Sequence, residues 1–297
     1  MQGLEIARRY HAAHRDQLLA PWAAYRGRIA AGLVGPGSEC LGHDDESSRD
    51  HDFGPGFCLW LTDEDHAAIG AALQFAYEQL PADFEGIPPR QPGARSGKRV
   101  GVFAISAFYG RFLGAPQLPV NDADWLQIPE PLLATATNGA VFDDALGRFS
   151  EWRMRLLAYY PAQALRRKLA QAVAGMAQNG QYNLPRALRR DALPTATLCL
   201  ADFVRNACLA AHVLSRRFAP PDKWLHRNLL GLPRLSGLHA ELDALVRAPI
   251  HQSGEAVERI CARVLQELVF QGFTRGGDAF LEAHVDTILG KARGGMA

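Results

Sequence analysis

The chain has little of what marks an exported, membrane or cysteine-scaffolded protein. Its start, MQGLEIARRYHAAHRD, carries charge where an export signal needs an apolar run, so a cytoplasmic protein is expected. The most apolar long stretch, Thr195 to Leu214, contains Asp202 and Arg205, which argues against a membrane span. Cysteine is sparse. Cys40, Cys58, Cys199, Cys208 and Cys261 are odd in number, scattered and free of any CxxC pair, which excludes a disulfide framework and a zinc cluster and leaves buried or idle thiols. There is no internal repeat and no low-complexity segment. Nor do aromatic and basic residues interleave as they do on a single-strand nucleic-acid platform.

What is present is length and segregated charge. At 297 residues the chain exceeds the usual single domain, and two domains are expected. The net charge is +1, yet Arg148 to Arg234 holds fifteen Lys or Arg against four Asp or Glu, a local balance of +11 that leaves −10 for the rest. Such polarity suits an acidic metal site facing a basic surface that binds polyphosphate, and it equally suits arginine-rich helices solvated on their outer faces.

The first half reads as mixed. A helix is expected over about 4–19, a short strand over 28–35, a strand over 57–61, a helix from an Asp63 cap to about Leu80, and a strand over 99–106. Ala140 to Phe142 could form a further strand. Beyond about Asp143 the signals turn helical, with helices after Pro161, over 186–218, 223–230, 237–247, 253–270 with Ser253 as cap, and 278–291 with Asp278 as cap. The expected fold is α+β with a short mixed sheet, residues 1–147, followed by a C-terminal α-helical bundle, residues 148–297.

Between these strands lies GPGSECLGHDDESSRDHDFGPG, residues 35–56, with six carboxylates and two histidines. Its glycines and prolines forbid a continuous helix, so the carboxylates belong to turns and strand ends. Asp50 and Asp52 are two apart. On extended backbone that spacing sets both on one face, about 6 to 7 Å apart, with His51 on the other. Carboxylates so held can bridge divalent ions, and hard oxygen ligands favour Mg²⁺ or Mn²⁺ over zinc. Upstream, Gly37 lets backbone approach a ligand and Ser38 offers a hydroxyl and an amide to a phosphate oxygen. A solvated acidic loop is the plain alternative.

The arrangement of strand, Gly37-Ser38, eleven residues and Asp50-His51-Asp52 resembles the signature of the nucleotidyltransferase superfamily, to which DNA polymerase beta and the aminoglycoside nucleotidyltransferases belong. The string GSECLGHDDESSRDHDFGPGFCLWL resembles more closely a bacterial branch of that superfamily whose activity is unassigned. Later segments agree with it: Gly139 to Asp144, Tyr159 to Pro161, Gly180 to Asn183 and Asp222 to Leu225. The resemblance implies that Ser38, beside Gly37, contacts the terminal phosphates and that Asp50 and Asp52 ligate the metal. The implied reaction moves a nucleoside monophosphate, usually AMP from ATP, to a hydroxyl of a small aminoglycoside-like acceptor. Toxin-like relatives imply a protein or tRNA acceptor instead, and a silent nucleotide-binding module keeps the same fold. Nucleic acid is the less favoured acceptor, and no membrane partner is expected. Lys223 lies in a segment that resembles one whose basic residue reaches the triphosphate.

Two departures stand out. Many members carry a third carboxylate on a neighbouring strand, yet Arg99 to Gly114 contains no Asp or Glu. Among Asp122, Asp124, Asp143 and Asp144, a strand end at 140–142 would deliver Asp144 as general base. Phe53-Gly-Pro-Gly56 also interrupts what is usually an unbroken strand. Elsewhere, Arg186, Arg189 and Arg190 offer guanidiniums for phosphate, and Tyr182 offers a ring to stack on a base or shape an acceptor pocket. The same segment reads equally as a helix end with solvated arginines. Trp125, Trp152 and Trp224 are expected in the core. The pairs His43-Asp44 and His51-Asp52, with His11 or His14, would suit a helical metal-dependent phosphohydrolase, but Gly and Pro deny them the helix.

Overall fold

The computed structural model describes residues 2–49, 52–91 and 97–291. They form two compact units, one of Met1–Pro119 with Leu132–Ala158 and one of Val120–Pro131 with Tyr159–Ala297.

The first unit is built on α1 (Gly3–Leu19), β1 (Ala30–Leu33), β2 (Cys58–Leu61), α2 (Asp63–Glu78), β3 (Gly101–Ala104) and α3 (Ile105–Leu113). Two helices follow, α4 (Asp122–Gln127) and α5 (Glu130–Thr137), before β4 (Ala140–Asp143) and α6 (Arg148–Leu157) return to the sheet. The strand order is β3-β2-β1-β4. β1 runs antiparallel to both neighbours, pairing Ala30 with Trp60 and Leu33 with Ala140, while β2 and β3 are parallel through the α2 crossover. This is the small mixed sheet of an α+β fold.

Every residue of β1, β2 and β3 is buried, so the sheet is covered on both faces and its strands read as apolar runs without alternation. Leu59 and Leu61 meet Tyr10, Leu18, Leu73 and Val102 on one face. Trp60 points to the other, where Phe149 of α6 stacks on it at 3.7 Å and Phe108 of α3 meets it edge-on at 5.3 Å. Gly32 fits this sheet because a Cβ there would run into the Ala140 carbonyl and the Trp60 ring.

Local chemistry moves several expected boundaries. Thr62, one residue before Asp63, caps α2 by accepting the Asp65 N–H at 3.2 Å, while Asp63, Glu64 and Asp65 sit in the first turn where the helix dipole favours them. The expected strand 99–106 ends at Ala104. From Ile105 the apolar residues Ile105, Phe108, Tyr109 and Phe112 recur at helical spacing and form the buried face of α3. α6 belongs with the sheet and not with the helical half, because Phe149 lies on Trp60 and Trp152 stacks on Tyr109 at 5.3 Å. The division between units therefore does not fall at 147/148.

The second unit is helical. It holds α4 and then α7 (Ala162–Met176), a π-helical turn (Ala177–Asn183), α8 (Leu184–Arg189), α9 (Leu193–Leu214), α10 (Asp222–Asn228), α11 (Leu238–Arg247), α12 (Ser253–Phe270) and α13 (Val285–Ile288). The expected helix 186–218 is broken at Asp191, whose φ is 55°, and Pro194 starts α9 afresh. Ser253 lies inside α12 and caps nothing, and Asp278 accepts the Phe280 N–H at 2.9 Å ahead of a 3-10 turn. α9 packs along α7 and is the core helix of the unit, with Phe203, Ala207, Ala210 and Ala211 fully buried. It is long and apolar enough to cross a membrane by length and composition, but just over half of its apolar window is buried inside the protein. All five cysteines are free and buried, and burial pushes the Cys58 and Cys208 thiols up to about 12.

Candidate functional site

The acidic segment connects β1 to β2, two adjacent antiparallel strands, so its start and its end meet at one end of the sheet. The chain leaves β1 through Val34 and Gly35. Asn138 clamps Gly35 on both sides, accepting its N–H at 2.9 Å and donating to its carbonyl at 2.8 Å. Arg153 holds the Asn138 carbonyl at 2.7 Å, and the Gly139 N–H reaches the Cys40 carbonyl at 2.7 Å. These bonds anchor the Gly37-Ser38 turn. Gly37 has φ 133°, and a Cβ there would strike the Arg99 guanidinium and the Glu39 carboxylate. Ser38 is half-buried and precedes a 3-10 turn (Glu39–Leu41), with its carbonyl accepting from Leu41 and His43.

Asp50 lies outside the described residues, as does His51. Asp52 is buried at 8% exposure in a left-handed conformation, φ 57°. It is not extended, so the geometry expected for an extended DxD does not hold at its second carboxylate. The Asp52 N–H donates to the Gln91 carbonyl at 2.7 Å, tying it to the segment before β3.

Two arginines and a glutamate converge on this point. Arg99 donates to Glu39 Oε1 at 2.8 Å, to the Asp52 carbonyl at 3.2 Å and to the Pro36 carbonyl, and its Nη1 lies 3.5 Å from Asp52 Oδ2. Arg90 reaches Glu39 Oε1 at 3.3 Å, the Gly54 carbonyl at 2.8 Å and the Asp52 carbonyl. Glu39 is 4% exposed, and both arginine side chains are buried over all but about a tenth of their surface. The result is a buried group of two carboxylates and two guanidiniums whose charges balance, with the guanidinium planes spanning several acceptors at once. Nothing local in the sequence announces it, because its members come from residues 39, 52, 90 and 99.

The donors fit a hard divalent cation by type. Asp52 and Glu39 are carboxylates, and nearby in the segment Asp44 accepts the Gly3 N–H at 2.7 Å through Oδ2 while its Oδ1 is buried without a hydrogen bond among the described residues. Gly3 ties the two together, since a Cβ on it would meet the Glu39 side chain. Among the described residues no three His, Cys, Asp or Glu side chains converge as a ready metal cage.

The four candidate general bases have other partners. Asp143 pairs with Arg15 at 3.0 Å. Asp144 accepts the Gly147 N–H at 3.0 Å and the Ser150 N–H at 2.7 Å, so both its oxygens serve the start of α6. Asp122 accepts the Ala164 N–H at 3.1 Å, and Asp124 forms a capping box with Asn121. His11 is a core residue, packed on Phe57 at 5.0 Å, and burial brings its pKa down to about 4.

Tyr182, Arg186 and Lys223 belong to the second unit. The Arg186 guanidinium lies over the Tyr182 ring at 3.6 Å, and Tyr182 is 41% exposed. The segment Ala177–Asn183 is not a helix end followed by a turn, as its glycine suggested, but a π-helical turn that runs directly into α8. Gly180 allows it, since a Cβ there would overlap the Phe203 ring. Lys223 sits on α10 with its ammonium 5.6 Å from the Trp224 ring, and Trp125 is buried against Tyr160 and Phe218.

A family model described as a domain of unknown function, DUF4037, matches residues 125–225. The chain is similar to that family over about a third of its length. The matched span includes Asp144, Tyr182, Arg186 and Lys223 and leaves out Gly37, Ser38, Asp50 and Asp52. No curated protein and no solved structure matches the chain.

Proposed function

We propose that the chain is a nucleotidyltransferase of the polymerase-beta-like superfamily, dependent on Mg²⁺ or Mn²⁺, that moves AMP from ATP to a hydroxyl of a small aminoglycoside-like acceptor. One observation carries the reading. A single guanidinium, Arg99, touches Pro36, Glu39 and Asp52, so the Gly37-Ser38 turn and the second carboxylate of the DxD lie within one side chain's span. A phosphate-holding turn and a metal-binding carboxylate must be that close to act on one triphosphate.

In this reading the Ser38 hydroxyl and the amides of its turn hold the terminal phosphates. Asp50 and Asp52 would hold the metal, which when bound neutralises the triphosphate and lowers the pKa of the attacking hydroxyl. The acceptor oxygen forms a bond to the α-phosphorus as the bond to the β-phosphate oxygen breaks; pyrophosphate leaves, and the hydroxyl proton passes to solvent. Arg90 and Arg99 hold Glu39 and Asp52 in place beside the turn.

A second reading is favoured by one specific fact: β3 carries no carboxylate, and Arg99, two residues before it, sits against Asp52. This suits a silent nucleotide-binding module. Thermal unfolding of the wild type and of Asp50→Asn/Asp52→Asn with each nucleoside triphosphate and Mg²⁺ separates the cases, together with pyrophosphate release over a panel of aminoglycosides and other polyols. The proposal expects a Mg²⁺-dependent stabilisation by ATP that the double variant loses, and pyrophosphate release with an acceptor. Stabilisation without turnover selects the module. A stabilisation that survives in the double variant puts the triphosphate elsewhere and ends both readings.

A further inference from the structure

The second unit contains a pocket of about 250 Å³ between α7, α9, α10 and the Glu130-Pro131 corner. Its residues follow from helix periodicity: Lys168, Gln171 and Ala172 share one face of α7, and Arg205, Leu209 and Val213 share one face of α9. Leu209, Val213, Ala219 and Leu225 make an apolar wall. Arg205 is already neutralised, by Asp202 at 3.0 Å and Asp222 at 3.1 Å.

Two charged groups on the lining are not. Glu130 is 7% exposed; one oxygen accepts the Ala219 N–H at 3.0 Å, and it has no ion-pair partner among the described residues. Burial pushes its carboxyl up to about 7, with Lys168 acting in the opposite sense from a distance. Lys168 is half-buried and has no ion-pair partner among the described residues either. An unpaired buried carboxylate is costly, and the cost falls if a cation or donor enters beside it. Here an unpaired carboxylate and an unpaired ammonium line one cavity too far apart to pair with each other, with the amides of Gln171 and Asn206 also on its wall.

We propose that this pocket binds a small zwitterion of amino-acid size, with its ammonium on Glu130, its carboxylate on Lys168 and its aliphatic part against Leu209, Val213 and Leu225. At about 250 Å³ the pocket is large enough to admit a molecule of amino-acid size. A simple amine would leave Lys168 unmatched and a simple acid would leave Glu130 unmatched. The inference is independent of nucleotidyl transfer and uses none of the residues assigned to it.

Calorimetric titration of the full chain with L-valine and the other common aliphatic L-amino acids tests it, beside isobutylamine and 3-methylbutanoate as the two halves of valine. The expected result is saturable binding of an amino acid, at least tenfold weaker binding of either half, and at least tenfold loss of affinity in Glu130→Gln and in Lys168→Met. The halves probe the wild type, so the test does not depend on either variant folding. No saturable binding of any amino acid by the wild type overturns the proposal. So does equal binding of isobutylamine or of 3-methylbutanoate, or unchanged affinity in both folded variants.

Discussion

Replacing Glu130 by Gln removes one titration from the protein and little else, since the amide oxygen can still accept the Ala219 N–H. In the native protein burial holds the Glu130 carboxyl near 7 against an ordinary 4.5. The folded chain therefore keeps a proton that the unfolded chain releases between these values, and stability falls as pH rises through that window. The contribution is whole below pH 4.5 and is lost by about pH 7. At 1.36 kcal/mol for each tenfold difference in proton affinity, the loss is about 3 kcal/mol. An amide cannot ionise, so the Glu130→Gln variant should gain about 3 kcal/mol on the wild type between pH 4.5 and pH 8. Urea denaturation of both proteins at the two pH values, without added amino acids, reads this as a difference of differences. His11, whose pKa is lowered to about 4, gives the opposite slope, but it is common to both proteins and cancels. A wild-type-to-variant difference constant within about 0.5 kcal/mol across the range would refute the reasoning and show Glu130 to be ionised at little cost.

Arg99→Met should leave Glu39 and Asp52 under-neutralised in a buried setting, costing about 3 kcal/mol and lowering the melting temperature by roughly 10 °C; a loss below about 2 °C by calorimetry would show the cluster to be energetically idle. Gly37→Ala should cost about 2 kcal/mol in urea denaturation, from a backbone at φ 133° and from the Arg99 and Glu39 side chains that a methyl would meet. Asp144→Ala should lose about 1 kcal/mol of stability while Asp144→Asn loses less, and neither should lower nucleotidyl transfer tenfold; a hundredfold fall in rate at unchanged stability would restore Asp144 as the base. Native protein should react with a thiol reagent at none of its five buried cysteines within minutes, and at all five in denaturant, which absorbance of the released thiolate measures.

The helical half was legible because α7, α9 and α12 each bury one periodic face, a pattern that local spacing carries. The sheet was legible as apolar runs for the same local reason, and the scattered, odd-numbered cysteines read as buried or idle thiols, of which the structure shows burial. Boundaries were less so. α3 hid inside an apolar stretch that suits strand and helix alike, and what separated them was packing of Phe108 and Phe112. Asp144 looked available as a base on a strand end, but its two oxygens were drawn to the backbone N–H groups that open α6.

By itself the sequence determined that the chain is α+β followed by helices, that an acidic, glycine-broken segment joins two strands, and that positive charge gathers in the helical half. These rest on interactions between residues a few positions apart. Only the tertiary structure decided that Arg90 and Arg99 reach back across some 40 to 60 residues to Glu39 and Asp52, and that Glu130 and Lys168 face one cavity without pairing. Charge balance in a buried cluster depends on which distant segments pack together, and that choice is made by the sheet order and by the fit of α7 on α9.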